Sequence, residues 1–270
     1  FIAGKGPPGL CWTEAILGCT VRIVTGGPWA ESFFGDWAEL EDLEPDGRWL
    51  EKLDAFVDFL TEHARGRYPI VQPLMRGPID MMAAALGHER MCIALMESPD
   101  RTDAFLEFCS ELFIQIAKRR LDRTPRFEDG YLSGYSIWAP GQVVRTQVDN
   151  GTMLSPAVYR ERVLKYDRRV IEAFEYPLIH LHSKCLHLAD ELLQVEALKA
   201  IQVSIDYPGG PLVSDVLPVL ERIIRKKPLI VTGPVSQDEL RTLEALPHSG
   251  RLCMHVQLVG EETFEAETGG

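Results

Sequence analysis

A chain of 270 residues is long enough for one large α/β domain or two small ones. With 46% hydrophobic and 25% charged residues it reads as an ordinary globular protein that buries a core, which excludes disorder as the default state. A net charge of -12 and an isoelectric point near 5.1 argue against nucleic acid or an anionic membrane surface as partner.

Six cysteines (Cys11, Cys19, Cys92, Cys109, Cys185, Cys253) stand far apart with no CxxC pair, which suits a reducing cytoplasm better than a secreted disulfide scaffold. No apolar run approaches the roughly 20 residues that span a bilayer. The opening Phe1–Gly6 lacks the basic start and apolar centre of a signal peptide. It also lacks Met and lies in a Gly/Pro-rich run, so we expect further residues upstream.

Residues 1–48 read as an irregular amino-terminal segment packed on the body through Trp12, Trp29 and Trp37, with one strand candidate at Val21–Val24. Residues 49–270 read as the main domain. Leu50, Leu53, Phe56, Val57 and Leu60 keep helical spacing up to Gly66, and residues 68–74 follow as a buried strand. Helices are expected at 79–86, at 88–96, and from a Ser98-Pro99 cap to about Leu121. A strand at 131–137 leads into a loop, and Ser155-Pro156 opens a helix to about Phe174.

From there strands and helices alternate: strand 177–182, helix 186–197, strand 200–206, helix 213–226, strand 228–232, helix 236–246, strand 252–258. Ser236 with Glu239 forms a capping-box pattern. The tail from 261 to 270 reads as polar and frayed. No GxGxxG or GxxxxGK[ST] follows any strand, which removes the usual nucleotide-binding reason for an open sheet.

Strand parity separates the remaining architectures. His180 and His182 share one face of their strand, as do Gln202, Ser204 and Asp206, and Cys253, His255 and Gln257. Strands of a flat α/β sheet are apolar on both faces, so one polar face per strand favours a barrel with a partly polar interior. The expected fold class is therefore α/β, a (β/α)₈ TIM barrel behind the irregular segment.

The same polar faces hold the candidate chemistry. His180, His182, Cys253 and His255 are residue types that bind zinc, and a catalytic zinc site uses three such ligands with one position open. The other reading is hydrogen-bonded interior histidines beside an inert thiol. Asp206 at a strand end suits an acid, a base or an orienting carboxylate, or else a helix cap. Tyr135 and Trp138 near another strand end can stack on a ligand or cover the mouth. Arg76 and Asp80 can reach an anionic substrate or form a local ion pair. There is no GxSxG elbow.

Several segments together resemble the uroporphyrinogen decarboxylase superfamily: Pro73-Leu74-Met75-Arg76-Gly77-Pro78-Ile79-Asp80, Glu97-Ser98-Pro99, and Asp149-Asn150-Gly151-Thr152 leading into residues 154–160. The runs YPLIHLHS, SIDYPGG and LIVTGPVS look like that family's last strands in order and spacing, so the resemblance covers roughly residues 65–258. It implies a TIM barrel and one of two chemistries. One is cofactor-free decarboxylation of a porphyrinogen. The other is methyl transfer to or from a corrinoid protein or a thiol, using zinc on an HxC pair and a later cysteine.

His180-Leu181-His182 occupies the HxC place with histidine for cysteine, and Cys253 falls near the later cysteine. The family's strand-end roles would fall on Tyr135 and Asp206. The arginine-rich segment that marks the decarboxylases is not found in FIAGKGPPGL. The resemblance thus implies a zinc-assisted methyltransferase acting on a small molecule, with a corrinoid or thiol acceptor. The alternatives are a porphyrinogen-type decarboxylase and a non-catalytic tetrapyrrole- or corrinoid-binding protein.

Overall fold

The computed structural model describes residues 4–40 and 42–260. The expectation of a frayed tail at 261–270 lies outside them. The chain divides into two compact units, Phe1–Pro177 and Leu178–Gly270.

In the first unit the amino-terminal segment is not irregular. It carries a helix, α1 (Trp12–Leu17), and a hairpin of β1 (Thr20–Val24) and β2 (Gly27–Glu31). Gly26 and Gly27 turn it with φ of 102° and 133°, a backbone that side chains resist. Trp12 is fully buried, its ring edge-on to Trp49 and Phe56 at 5.8 and 5.7 Å, whereas Trp29 is 56% exposed.

Helix α2 (Gly47–Ala64) starts on an Asp46 cap that accepts from Arg48 N, and ends at Arg65 in the left-handed region. Helices α3 (Pro78–Leu86) and α4 (His88–Glu97) follow. They lead to the long α5 (Pro99–Arg123), which buries Phe105, Leu106, Cys109, Leu112, Phe113, Ile116 and Ala117 at helical spacing. Ser98 precedes it without a side-chain cap bond, so Pro99 at the first position marks that start. Arg119 and Arg123 of α5 both bind Asp54 of α2, at 2.6 and 3.0 Å.

The strand expected at 68–74 is reduced to single bridges, Lys5 to Ile70 and Val71 to Leu132, both parallel. Pro69 and Pro73 supply no N–H, so no ladder extends past them. Gln72 compensates with its side chain: its Nε2 donates to Arg145 O at 2.8 Å, and its Oε1 accepts from Arg145 N at 2.7 Å.

The strand expected at 131–137 breaks after β3 (Tyr131–Leu132), because Tyr135 and Ser136 take φ of 58° and 59°. The chain turns back as β4 (Trp138–Ala139), and β5 (Val143–Gln147) follows, buried along its length. Ser155 caps α6 (Pro156–Val158), accepting from Val158 N at 3.2 Å. A π-helical turn at Tyr159–Val163 leads into α7 (Leu164–Glu172).

That turn sets Tyr159 against Asp167, with the phenol donating to Oδ2 at 2.7 Å. Asp167 is fully buried, and burial pushes its pKa up to about 7 against the pull of the phenol. Between about pH 4 and 7 the folded state therefore holds a proton that the unfolded state releases, so this group's contribution to stability falls as pH rises. The loss is complete above pH 7 and on the order of a few kcal/mol. In Asp167→Asn that dependence should vanish. Urea midpoints of both proteins at pH 5 and pH 8 check this, and a wild-type-to-variant difference that is the same at both would refute it.

In the second unit the order of strands is as expected, but the helix expected at 186–197 is replaced by a 3₁₀ run and a single turn of α-helix. β6 (Tyr176–His182), which begins at the unit boundary, is followed by a 3₁₀ stretch, Ser183–Leu188, and the short α8 (Ala189–Leu192). Then come β7 (Ala200–Ser204), α9 (Val213–Lys226), β8 (Leu229–Val235), α10 (Gln237–Glu244) and β9 (Leu252–Leu258). β6, β7, β8 and β9 lie side by side in that order, all parallel, so the fold is α/β. The Ser236–Glu239 capping box forms as expected, with bonds of 3.2 and 3.0 Å. Cys185 is fully buried. No helix among the described residues is long and apolar enough to cross a membrane.

Candidate active site

Register assembles the polar face of the second unit. His180 pairs with Gln202, which pairs with Ile230, which pairs with Cys253; two residues on, His182, Ser204, Thr232 and His255 form the next row. Paired residues of parallel strands share a face, so these are two rows across one surface. Its β6, β7 and β8 positions are buried at His180 (4% exposed), Gln202 (0%) and Thr232 (5%).

Buried polar atoms must be bonded, and here they form a chain. His180 Nδ1 bonds Gln202 Oε1, and Gln202 Nε2 donates to Thr232 Oγ1 at 2.8 Å. His182 Nδ1 bonds Asp206 Oδ1 at 2.5 Å. A carboxylate and an amide oxygen only accept, so each imidazole donates from Nδ1, and in its neutral form its lone pair is on Nε2. The two rings stand edge to face, 4.8 Å between centroids.

Asp206 lies two residues beyond the end of β7 and also accepts from Ser183 N at 2.9 Å and Ser183 Oγ at 2.8 Å. Burial raises its pKa, but the bonds from His182 and Ser183 outweigh that and hold it below the ordinary carboxylate value. Gly210 lets the following loop close on this pair: a Cβ there would lie 2.7 Å from Ser183 Oγ and 2.8 Å from Asp206 Cβ.

Cys253 and His255 stand on β9, three strands from β6, roughly 14 Å along the sheet. Cys253 is half-buried and His255 exposed. Burial pushes the Cys253 thiol up, away from the thiolate that binds metal. Among the described residues neither joins the two histidines in a set of ligand atoms within 4.8 Å.

The other candidates lie in the first unit. Arg76 pairs with Glu14, Nε to Oε1 at 2.8 Å, rather than with Asp80, and its Nη1 is 4.0 Å from Asp149 Oδ2. Asp80, 1% exposed in the first turn of α3, accepts from Asp149 N, Asn150 N and Asn150 Nδ2 at 3.1, 2.8 and 2.9 Å. Glu14, Arg76, Asp80 and His88 border a cleft of about 200 Å³. Burial raises the pKa of Glu14, and Arg76 opposes that rise.

Tyr135 sits in the turn after β3 with its ring 5.5 Å from the Arg145 guanidinium carbon. Trp138 is 38% exposed, and its indole N–H donates to Phe127 O at 3.0 Å. Sequence reasoning assigned no role to Gln202, Ser183 or Glu14. Gln202 was accessible through parity, since it shares a face with Asp206. Glu14 lies in a Gly/Pro-rich stretch with no periodicity to expose it.

No protein-family profile matches the chain, and no curated protein matches it. Among solved structures it is similar to a methyltransferase from Methanosarcina mazei, at 13% identity and a TM-score of 0.65 over 98% of this chain and 79% of that one. It is also similar to a B12-independent methionine synthase from Shewanella sp. W3-18-1 in complex with selenomethionine, at 11% identity and a TM-score of 0.52 over 96% and 75%. At those identities what is shared is the fold.

Proposed function

We propose that this protein is a methyltransferase that moves a methyl group between a small donor and a corrinoid or thiol acceptor, with zinc held on His180 and His182. The observation that carries this reading is the pair of imidazoles on one strand face, each held through Nδ1 by an acceptor, the orientation that hydrogen-bonded partners give to ligand histidines. The chemistry of the donor set suits zinc, although two histidines are fewer than a zinc site takes from protein, and substrate sulfur or solvent would complete it. Cys253 and His255 are left out of that set, given their distance along the sheet.

Bound zinc would lower the pKa of a thiol and keep it nucleophilic at neutral pH. Asp206 holds the His182 ring and its proton in place, and Gln202 does the same for His180. Arg76, Asp80, Tyr135 and Trp138 are offered as substrate-side groups. The reaction class is supported by the two structural neighbours, one a methyltransferase and the other a methionine synthase. The eight-stranded barrel expected from strand parity and a cytoplasmic location belong to the same proposal.

Metal analysis of protein purified without chelator tests it. Near-stoichiometric zinc is expected, falling in His180→Ala and His182→Ala while circular dichroism stays unchanged. Wild-type protein without zinc would sink the proposal, and chelator-insensitive decarboxylation would return the decarboxylase reading.

A further inference from the structure

The first unit contains a second, smaller pocket of about 100 Å³, lined by Gln72, Pro73, Leu74, Gly134, Tyr135 and Arg145. Arg145 lies on β5, only 5% exposed. Its Nη1 donates to Gln147 Oε1 at 2.8 Å, while its buried Nε has no hydrogen-bond partner. Leaving a guanidinium N–H unmet inside a protein is costly, and a ligand that supplies the acceptor relieves that cost.

The rest of the lining selects the ligand. A volume of about 100 Å³ equals roughly three waters, room for a group of three or four heavy atoms. Asp149, which accepts from Gln147 at 2.6 Å, and Asp80 already offset part of the arginine's charge, which favours a monoanion over a phosphate dianion. Leu74, 44% exposed, forms an apolar lip, and the Tyr135 ring stands over the guanidinium. The Gln72 amide bonds fix the Arg145 backbone, so the charged wall is held before any ligand arrives.

We propose that this pocket binds a small carboxylate, its oxygens on the Arg145 guanidinium and its carbon end against Leu74 and Tyr135. The inference does not rest on the methyl-transfer reading, and its test uses no turnover.

The probe is acetate, followed by saturation transfer from the full chain to the acetate methyl protons. Transfer should be displaced by formate and not by acetamide, which has the shape without the charge. Arg145→Gln should weaken acetate binding by about tenfold or more, while the exposed Arg101→Gln leaves it unchanged. If Arg145→Gln fails to fold by circular dichroism, Leu74→Trp keeps the arginine, fills the lip, and should abolish the signal. The proposal is overturned by absence of transfer to wild type, by equal competition from acetamide, or by undiminished binding in either folded variant.

Discussion

Gly233→Ala should lower the stability of the second unit by about 3 kcal/mol or more, because two separate costs fall on one methyl group. Gly233 lies inside β8 with φ of 105°, a backbone that alanine resists. A Cβ there would also lie 2.3 Å from Ile205 O and 3.1 Å from Ile205 N, and backbone atoms cannot rotate aside. Relief requires separating β8 from the chain after β7, which breaks the bond from Ile205 N to Thr232 O at 2.8 Å. Ile205 precedes Asp206, so the same movement displaces the carboxylate that holds His182.

Urea unfolding measures the effect, with Gly250→Ala as the comparison. Gly250 also has positive φ, at 80°, but nothing within 4 Å of a built Cβ, so only the backbone cost of roughly 1–2 kcal/mol applies there. Equal losses at the two positions would show that the contact with Ile205 yields without cost.

On the proposed function, Asp206→Asn is expected to weaken zinc binding on the order of 10- to 100-fold with the fold intact. The carboxylate accepts three donors: His182 Nδ1, Ser183 N and Ser183 Oγ. An asparagine oriented to accept from His182 turns its NH₂ toward Ser183, where the backbone N–H can only donate. The imidazole then loses both its charged partner and its fixed orientation, since the group holding it is itself unmoored. Competition with a chromophoric chelator gives the affinity directly. Unchanged affinity would leave Asp206 as a cap for the Ser183 turn and nothing more.

How much of this was legible from residues alone depended on what each element needs. From residue 176 onward strand-like runs alternate with helical ones and Ser236 marks the start of α10, so the order of the strands followed from local pattern, whereas the uncapped stretch after β6 did not form the expected helix. The parity of 178–182 and 201–206 likewise exposed the buried polar face. Strand order was not legible. Register sets Cys253 in the same row as His180, but β9 lies three strands from β6, so the shared face seen in sequence did not translate into proximity.

In the first unit, local pattern misled where one residue type overrode it. Prolines 69 and 73 removed the donors of an otherwise apolar strand, and left-handed Tyr135 and Ser136 folded a second one back on itself. Val21–Val24 was a strand candidate and forms most of β1, but its partner β2 was hidden because Gly27–Glu31 shows no apolar alternation.

Gln72 carries one more consequence. It occupies the place of a missing peptide group, donating to and accepting from one residue's backbone at once. Glutamate lacks the donor, asparagine lacks the reach, and an apolar residue leaves both backbone groups stranded in the interior. Position 72 should therefore tolerate almost no drift over evolutionary time, although it touches none of the reacting groups proposed above. A lineage that replaced it would have to recover a backbone strand pairing in its stead, and two prolines stand in the way.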